Sequence, residues 1–153
     1  MKYTEARSDE ITGSEQIIVV TTSGWDDIKG QLQLFEKREN NWTALAGPID
    51  IIIGKNGMAW GHGLLRFPDN LTYKQEGDGK APAGIFNIDG AYGYPPPEEM
   101  AFLKLPYIQA TETLKCVDDP DSRYYNQIVD EQEVNKDWKS AEEMLRSDDL
   151  YKF

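Results

Sequence analysis

Apolar and polar residues alternate along the first third of this 153-residue chain, and the alternation constrains the fold more than any other feature. QLQLFEKR (residues 31–38) has the period of two that marks a half-buried strand. QIIVVTTS (16–23) is a predicted strand before it, and WTALAGPIDIIIG (42–54) follows, with Pro48 between two strand pieces. Turns about every ten residues predict a β-meander, as in sandwiches and barrels.

The second half of the chain predicts further strands around a glycine-rich loop. GIFNI (84–88) is β-branched and aromatic, so the loop before it is predicted to lead into a strand. In that loop, Gly77 and Gly79 are predicted to adopt positive φ. Residues 102–119 alternate again and predict a strand pair, and LYKF (150–153) begins one more.

One helix is predicted, close to the end of the chain, in SAEEMLRSDD (140–149). Ser140 and Glu143 have the spacing of a capping box, in which each side chain satisfies a backbone N–H of the first turn. Ala141, Met144 and Leu145 would form the buried stripe of this helix.

Length and composition predict one folded domain over residues 16–153, preceded by a polar lead over 1–15. Hydrophobic residues make up 39% of the chain and charged residues 28%, which is typical of a soluble globular protein. The net charge of −11 disfavours nucleic acid and anionic lipid surfaces as partners. The sequence has no apolar span of the length that crosses a membrane, and the lead lacks a signal-peptide core.

Cys116 and His62 are the only thiol and the only imidazole, so they form the only possible cysteine–histidine dyad. Cysteine catalysis needs a thiolate, which a histidine base commonly generates. Asp118 and Asp119 follow Cys116 closely, and neighbouring carboxylates raise the pKa of a thiol. The alternative is that Cys116 packs as a small apolar residue and His62 forms hydrogen bonds in a loop.

The sequence predicts no metal and no cofactor. One histidine and one cysteine cannot supply the nitrogen and sulfur ligands that zinc requires. The run DDPDS (118–122) lacks the spacing and closing glutamate of a calcium loop. In the glycine-rich loop, Lys80 is followed by Ala81 and Pro82, where a phosphate-binding loop needs Ser or Thr.

Four segments together resemble one family: IIIGKNGMAWGHGL, KQEGDGKAPAGIF, CVDDPDSRYYNQIVD and WKSAEEMLRSDDLYKF. Their order and spacing are similar to those of YkuD-type L,D-transpeptidase catalytic domains, over about residues 16–153. The resemblance implies a mainly β, sandwich- or barrel-like fold with a C-terminal helix. It also implies a periplasmic or other extracytoplasmic location and peptidoglycan stem peptides as partners.

The family performs acyl transfer in cell wall biogenesis. A cysteine thiolate attacks a stem-peptide carbonyl and expels the terminal D-alanine, and an amine of a second stem then resolves the thioester. The family nucleophile follows a glycine, and this sequence has no Gly-Cys pair. Cys116 matches the start of the Cys-Val-Asp-Asp-Pro signature, and His62 matches a variable position. Neither catalytic residue of the family is therefore carried over.

On this comparison the chain is expected to be the front part of such a domain, incomplete at its C-terminal end and inactive. An uncovered sheet edge is then expected to favour self-association. Two alternatives stay open: a non-catalytic module that binds muropeptides, and a small cysteine enzyme that uses Cys116 and His62. Residues expected to line a substrate groove are Lys74, Glu76, Asp78, Lys80, Tyr94, Asp118, Asp119 and Asn126.

Overall fold

Strands and loops make up both compact units of the chain, as seen in a computed structural model that describes residues 11, 13–65 and 67–148. The first unit ends at Phe86 and the second begins at Asn87. The mainly β prediction is confirmed, and none of the sheets in the described ranges closes into a barrel. The strand predicted at 150–153 and most of the polar lead lie outside these ranges.

The first unit contains a four-stranded antiparallel sheet in which β2 is central. Three neighbours pair with β2: β1 along nearly its whole length, β3 at its C-terminal end and β4 at its N-terminal end. The strands are β1 (Gln16–Thr21), β2 (Lys29–Arg38), β3 (Asn41–Ala44) and β4 (Ile49–Ile52).

The turns of this sheet follow from the residues at them. Glu39 and Asn40 connect β2 to β3 with φ of +49° and +65°, the two-residue hairpin turn that matches strand twist. Pro48 lies between β3 and β4, as predicted. The predicted meander of the first unit is therefore confirmed.

Two short parallel strands follow this sheet in the chain and belong to the glycine-rich segments. It consists of β5 (Met58–Trp60) and β6 (Ala81–Ala83). The prediction of a strand at residues 84–88 is wrong, because the strand that pairs with β5 is β6, three residues earlier. Gly84 has φ of +155°, a conformation that takes the chain out of the ladder after Ala83.

The second unit contains two small sheets. In the first, β7 and β8 are parallel; in the second, β9 lies between β10 and β11, antiparallel to both. The prediction that two strands within residues 102–119 pair with each other is therefore wrong. Both strands exist, as β8 and β9, but β8 pairs with β7, and β9 pairs with β10 and β11. The bounds are β7 (Ala91–Gly93), β8 (Tyr107–Gln109), β9 (Leu114–Val117), β10 (Ile128–Asp130) and β11 (Ala141–Glu143), with a 3₁₀ helix over Pro97–Met100.

The predicted C-terminal helix is also wrong, because β11 occupies its first turn. Glu142 lies opposite Cys116 in the sheet, and Glu143 lies opposite Lys115 and forms an ion pair with it. Pairing with a central strand thus overrides the local capping signal of Ser140 and Glu143. No helix in the described parts of the chain has the length and apolar character needed to span a membrane.

The core of the second unit is small and is built around Leu114, Ala110 and Met144. Tyr94 packs against this cluster and fixes the chain beyond β11. Its hydroxyl accepts the N–H of Arg146 at 2.9 Å and donates to the Arg146 carbonyl at 3.1 Å. The other half-buried side chains packed on the core are Tyr92, Cys116 and Ile128.

Candidate functional site

The two glycine-rich segments of the first unit pack directly against each other. A Cβ at Gly54 would lie 2.5 Å from the Ala81 nitrogen, and one at Gly63 would lie 2.2 Å from the Ile85 carbonyl oxygen. Backbone hydrogen bonds join the same segments, from Ala81 N to the Gly57 carbonyl and from Asn56 N to the Gly79 carbonyl. We call this arrangement, residues 54–63 against 79–86, the glycine interlock.

Residues 74–80 form a loop beside the interlock that Asp78 organises. Its carboxylate accepts the N–H of Gln75 and the N–H of Lys80, each at 2.8 Å, and lies 2.9 Å from the Lys74 ammonium. Gly77 and Gly79 have φ of +73° and +68°, which confirms the prediction for both. The loop is therefore held by its own side chains.

The hydrogen bond from the Gln75 N–H is the main reason that the pKa of Asp78 is lowered to about 2, and Lys74 adds to it. Because this pKa lies below the ordinary value of 3.8, the ionised carboxylate stabilises the loop above about pH 4. We expect this stabilisation to be lost as the pH falls from about 4 through about 2, with coordinated shifts of the Gly77 and Gly79 amide resonances.

The substitution that tests this assignment is Asp78→Asn. It should abolish the acid-induced shifts of the Gly77 and Gly79 amides and leave these amides shifted already at neutral pH. Asp69→Asn makes the same change outside the loop and should leave the titration intact. A Gly79 amide that titrates near pH 4 in the unmodified protein would contradict the assignment.

Lys80 is used mainly within the protein. Its ammonium donates to the Asn56 carbonyl at 2.9 Å and lies 3.6 Å from the carboxylate of Asp26. The Asp26 side chain itself is 98% exposed. Lys80 therefore ties the turn at residues 54–57 to the loop, and Asp26 presents a carboxylate to solvent beside it.

Aromatic rings contact one another in a row next to this loop. The ring centroids of Trp25 and Trp60 are 4.8 Å apart, and those of Trp60 and Phe67 are 3.9 Å apart. His62 stacks on Tyr73 with a centroid distance of 4.7 Å and nearly parallel rings. Trp25 remains 46% exposed at the end of the row Trp25, Trp60 and Phe67.

In the second unit, Asp119 organises the turn that follows β9. Its carboxylate accepts the N–H of Lys139 at 2.7 Å and that of Asp121 at 3.0 Å, and these bonds lower the pKa of Asp119. Asn126 has φ of +59° and donates its N–H to the Val117 carbonyl. Asp118 has one buried carboxylate oxygen without a hydrogen-bond partner in the part of the chain described.

Lys115 is a buried cation in β9, 7% exposed. Its ammonium donates to the Glu112 carbonyl at 2.7 Å, contacts Glu143 and lies 3.5 Å from Glu131. Burial lowers the pKa of Lys115, but the hydrogen bond and charge of Glu143, together with Glu131, outweigh it and raise the pKa. The charge is therefore retained inside the sheet.

The structure distributes the predicted site residues between the two units. Lys74, Glu76, Asp78 and Lys80 share the loop of the first unit, and Asp118, Asp119 and Asn126 share the turn of the second. Tyr94 is engaged with Arg146. Of the proposed dyad, His62 is exposed in the first unit, and Cys116 is half-buried in β9 of the second.

A shallow depression of about 540 Å³ lies in the second unit. Ile88, Tyr92 and Ile108 give it an apolar lining, with Asp89 as its one carboxylate. Within the described ranges, no three His, Cys, Asp or Glu side chains are arranged to hold a metal ion. The charged groups gathered by the fold are the loop of the first unit and, in the second, the turn after β9 and the cluster around Lys115.

Comparison with known proteins leaves this description unchanged, since no protein-family model, curated protein or solved structure matches the chain. A function must therefore be argued from the residues themselves.

Sequence reasoning did not single out Trp25 or Lys115. The signal for Trp25 was its context, because a tryptophan in the turn GWDDIKG cannot belong to an alternating strand face. Lys115 gave no local signal, because its partners Glu131 and Glu143 are distant in sequence and are brought to it by β10 and β11.

Proposed function

We propose that this chain is a YkuD-type, L,D-transpeptidase-like domain that recognises peptidoglycan stem peptides outside the cytoplasm. The four sequence segments named above support the family. Recognition is the part of the family function proposed for these residues. Acyl transfer through Cys116 is not proposed, because the sequence has no Gly-Cys pair.

The observation that carries the proposal is the glycine interlock. Two of the four segments that resemble the family pack against each other, and at Gly54 and Gly63 any Cβ would meet backbone atoms of the other segment. Only a residue without a Cβ fits at these two positions, so the glycines of the two segments depend on each other. The contacts therefore give the sequence resemblance a physical reason.

The loop beside the interlock supplies a surface for a peptide. Asp78, Lys74 and Lys80 hold the loop from within, and Glu76 is exposed on it. A loop that is already ordered loses little entropy when a ligand binds. The exposed carboxylate of Glu76 complements the free amine of a stem peptide that carries a diamino acid.

The test is a titration of the ¹⁵N-labelled protein with a synthetic tetrapeptide stem that has a free side-chain amine and ends in D-alanine. The amides of residues 74–80 should shift in a saturable way. Glu76→Gln should weaken binding by about threefold, the effect of removing one exposed ion pair.

Glu15→Gln is the matched control, because it removes the same charge from an exposed site at the start of β1 in the same unit. It should leave the affinity unchanged. The proposal fails if millimolar tetrapeptide leaves the loop amides in place, or if the two variants lose affinity equally. Co-sedimentation with purified sacculi provides a second measurement on the natural polymer.

A further inference from the structure

Trp25 is held in an unusual position for a large apolar side chain, at the tip of a fixed turn. The turn is closed by hydrogen bonds from the Thr22 hydroxyl and the Asp27 N–H to the Gly24 carbonyl. The Trp25 carbonyl accepts the N–H of Met58 at 2.7 Å, which fastens the turn to β5. The backbone of Trp25 is therefore fixed, while the residue is 46% exposed.

The ring of Trp25 is also supported from behind. Trp60 contacts it at a centroid distance of 4.8 Å with an interplanar angle of 59°, and Phe67 supports Trp60 in turn. Because Trp60 packs against it, the indole has less room to turn inward and bury its exposed surface. The structure thus keeps a flat apolar surface in water.

The residue that follows Trp25 in the chain brings charged groups next to it. Asp26, the next residue, has a carboxylate that is 98% exposed, and the Lys80 ammonium lies 3.6 Å from it. A flat aromatic face beside a few oriented hydrogen-bonding groups suits a ligand with one apolar face and a polar rim. A pyranose ring has this form, with C–H groups on its face and hydroxyl groups around its edge.

We propose that Trp25, Asp26 and Lys80 form a saccharide-binding platform for an uncharged or N-acetylated glycan. The net charge of −11 disfavours polyanionic glycans. A proline-rich peptide would also contact an exposed tryptophan, but it needs a groove between several rings. Of the three contacting rings only Trp25 is exposed, and the next residue is Asp26, which pairs with Lys80; this favours the sugar.

This inference goes beyond the proposed function, because it requires no stem peptide. The probe is the tetramer of β-1,4-linked N-acetylglucosamine, which contains no amino acid, and the readout is the indole N–H resonances of the four tryptophans. The Trp25 resonance should shift in a saturable way, while those of Trp42 and Trp138 stay in place.

Trp25→Ala should reduce the affinity for the tetrasaccharide at least about tenfold, as expected for the central aromatic contact of a small site. Trp25→Phe keeps a planar ring and should retain part of the affinity that Trp25→Ala loses. Asp26→Asn should reduce the affinity for the tetrasaccharide about threefold, because a charge-assisted hydrogen bond is lost. Trp42→Phe, a tryptophan change in β3, is the control and should bind normally.

The backbone contacts of residue 25 do not involve the indole, so Trp25→Ala should keep a folded spectrum in which amide shifts change only near the removed ring and Trp60. The inference is overturned if the tetrasaccharide at about 10 mM, tenfold above a Kd of 1 mM, shifts no indole resonance. It is also overturned if Trp25→Ala binds as well as the unmodified protein, or if only a proline-rich decapeptide shifts Trp25. If the tetrapeptide does not bind the loop at residues 74–80, the proposed function fails but the saccharide-binding inference is unaffected.

Discussion

Replacing Gly57 with alanine is expected to destabilise the first unit by about 4 kcal/mol, the sum of overpacking and left-handed backbone strain. The added Cβ would lie 2.0 Å from the Trp25 carbonyl oxygen and 2.7 Å from the Asp26 Cα. Both are backbone atoms of the fixed turn, so no side chain can move aside. Urea unfolding, followed by circular dichroism and by amide exchange in β5, measures the loss.

Gly77→Ala is the matched control for this prediction. Gly77 has φ of +73°, close to the +76° of Gly57, but a Cβ there would meet nothing within 4 Å. The control should therefore lose only the strain, about 1 kcal/mol. Equal losses in the two variants would show that backbone conformation, and not the approach of the turn, makes Gly57 necessary.

Replacing Lys115 with methionine is expected to destabilise the second unit by about 2 kcal/mol. Methionine keeps most of the apolar volume, so the loss reports the ammonium and its contacts with the Glu112 carbonyl, Glu131 and Glu143. Breaking a fully buried pair costs more, but here the Glu143 side chain is 57% exposed and water replaces part of the interaction.

The pH dependence separates the charge of Lys115 from its packing. Since the pKa of Lys115 is raised above 10.5, its stabilisation is complete below that pH and is lost as the pH rises through the folded-state value. The Lys115→Met variant should lack this alkaline loss, measured as amide exchange in β9. Glu143→Gln leaves the ammonium with two partners and should cost less than 1 kcal/mol, about the value of one exposed pair.

The sequence predicted the first unit better than the second, because the signals of a meander are local. Alternation defines β2, and the turn at Glu39 and Asn40 defines its hairpin with β3. The pairing of β9 with β11 passes over β10 in the chain, so no local signal marks it. Local propensity then favoured a helix where the sheet requires the strand β11.

Part of the candidate site was also predictable from the residues. The glycines of residues 74–80 indicated a tight loop, and their positive φ follows from having no Cβ. The role of Asp78 was not predictable, because a charged residue in a loop has the same sequence pattern whether it binds a ligand or its own backbone. Only the contacts with Gln75 and Lys80 distinguish the two.

The glycine interlock also determines how this sequence can drift during evolution. At Gly61, a Cβ would collide with the Phe86 ring and the Pro82 Cβ, so a larger residue becomes acceptable once a lineage has a smaller side chain at 86 and glycine at 82. At Gly54 and Gly63, the obstructing atoms belong to the main chain, which no neighbouring substitution can shorten. A second substitution can therefore compensate for the replacement of Gly61, but not for the replacement of Gly54 or Gly63.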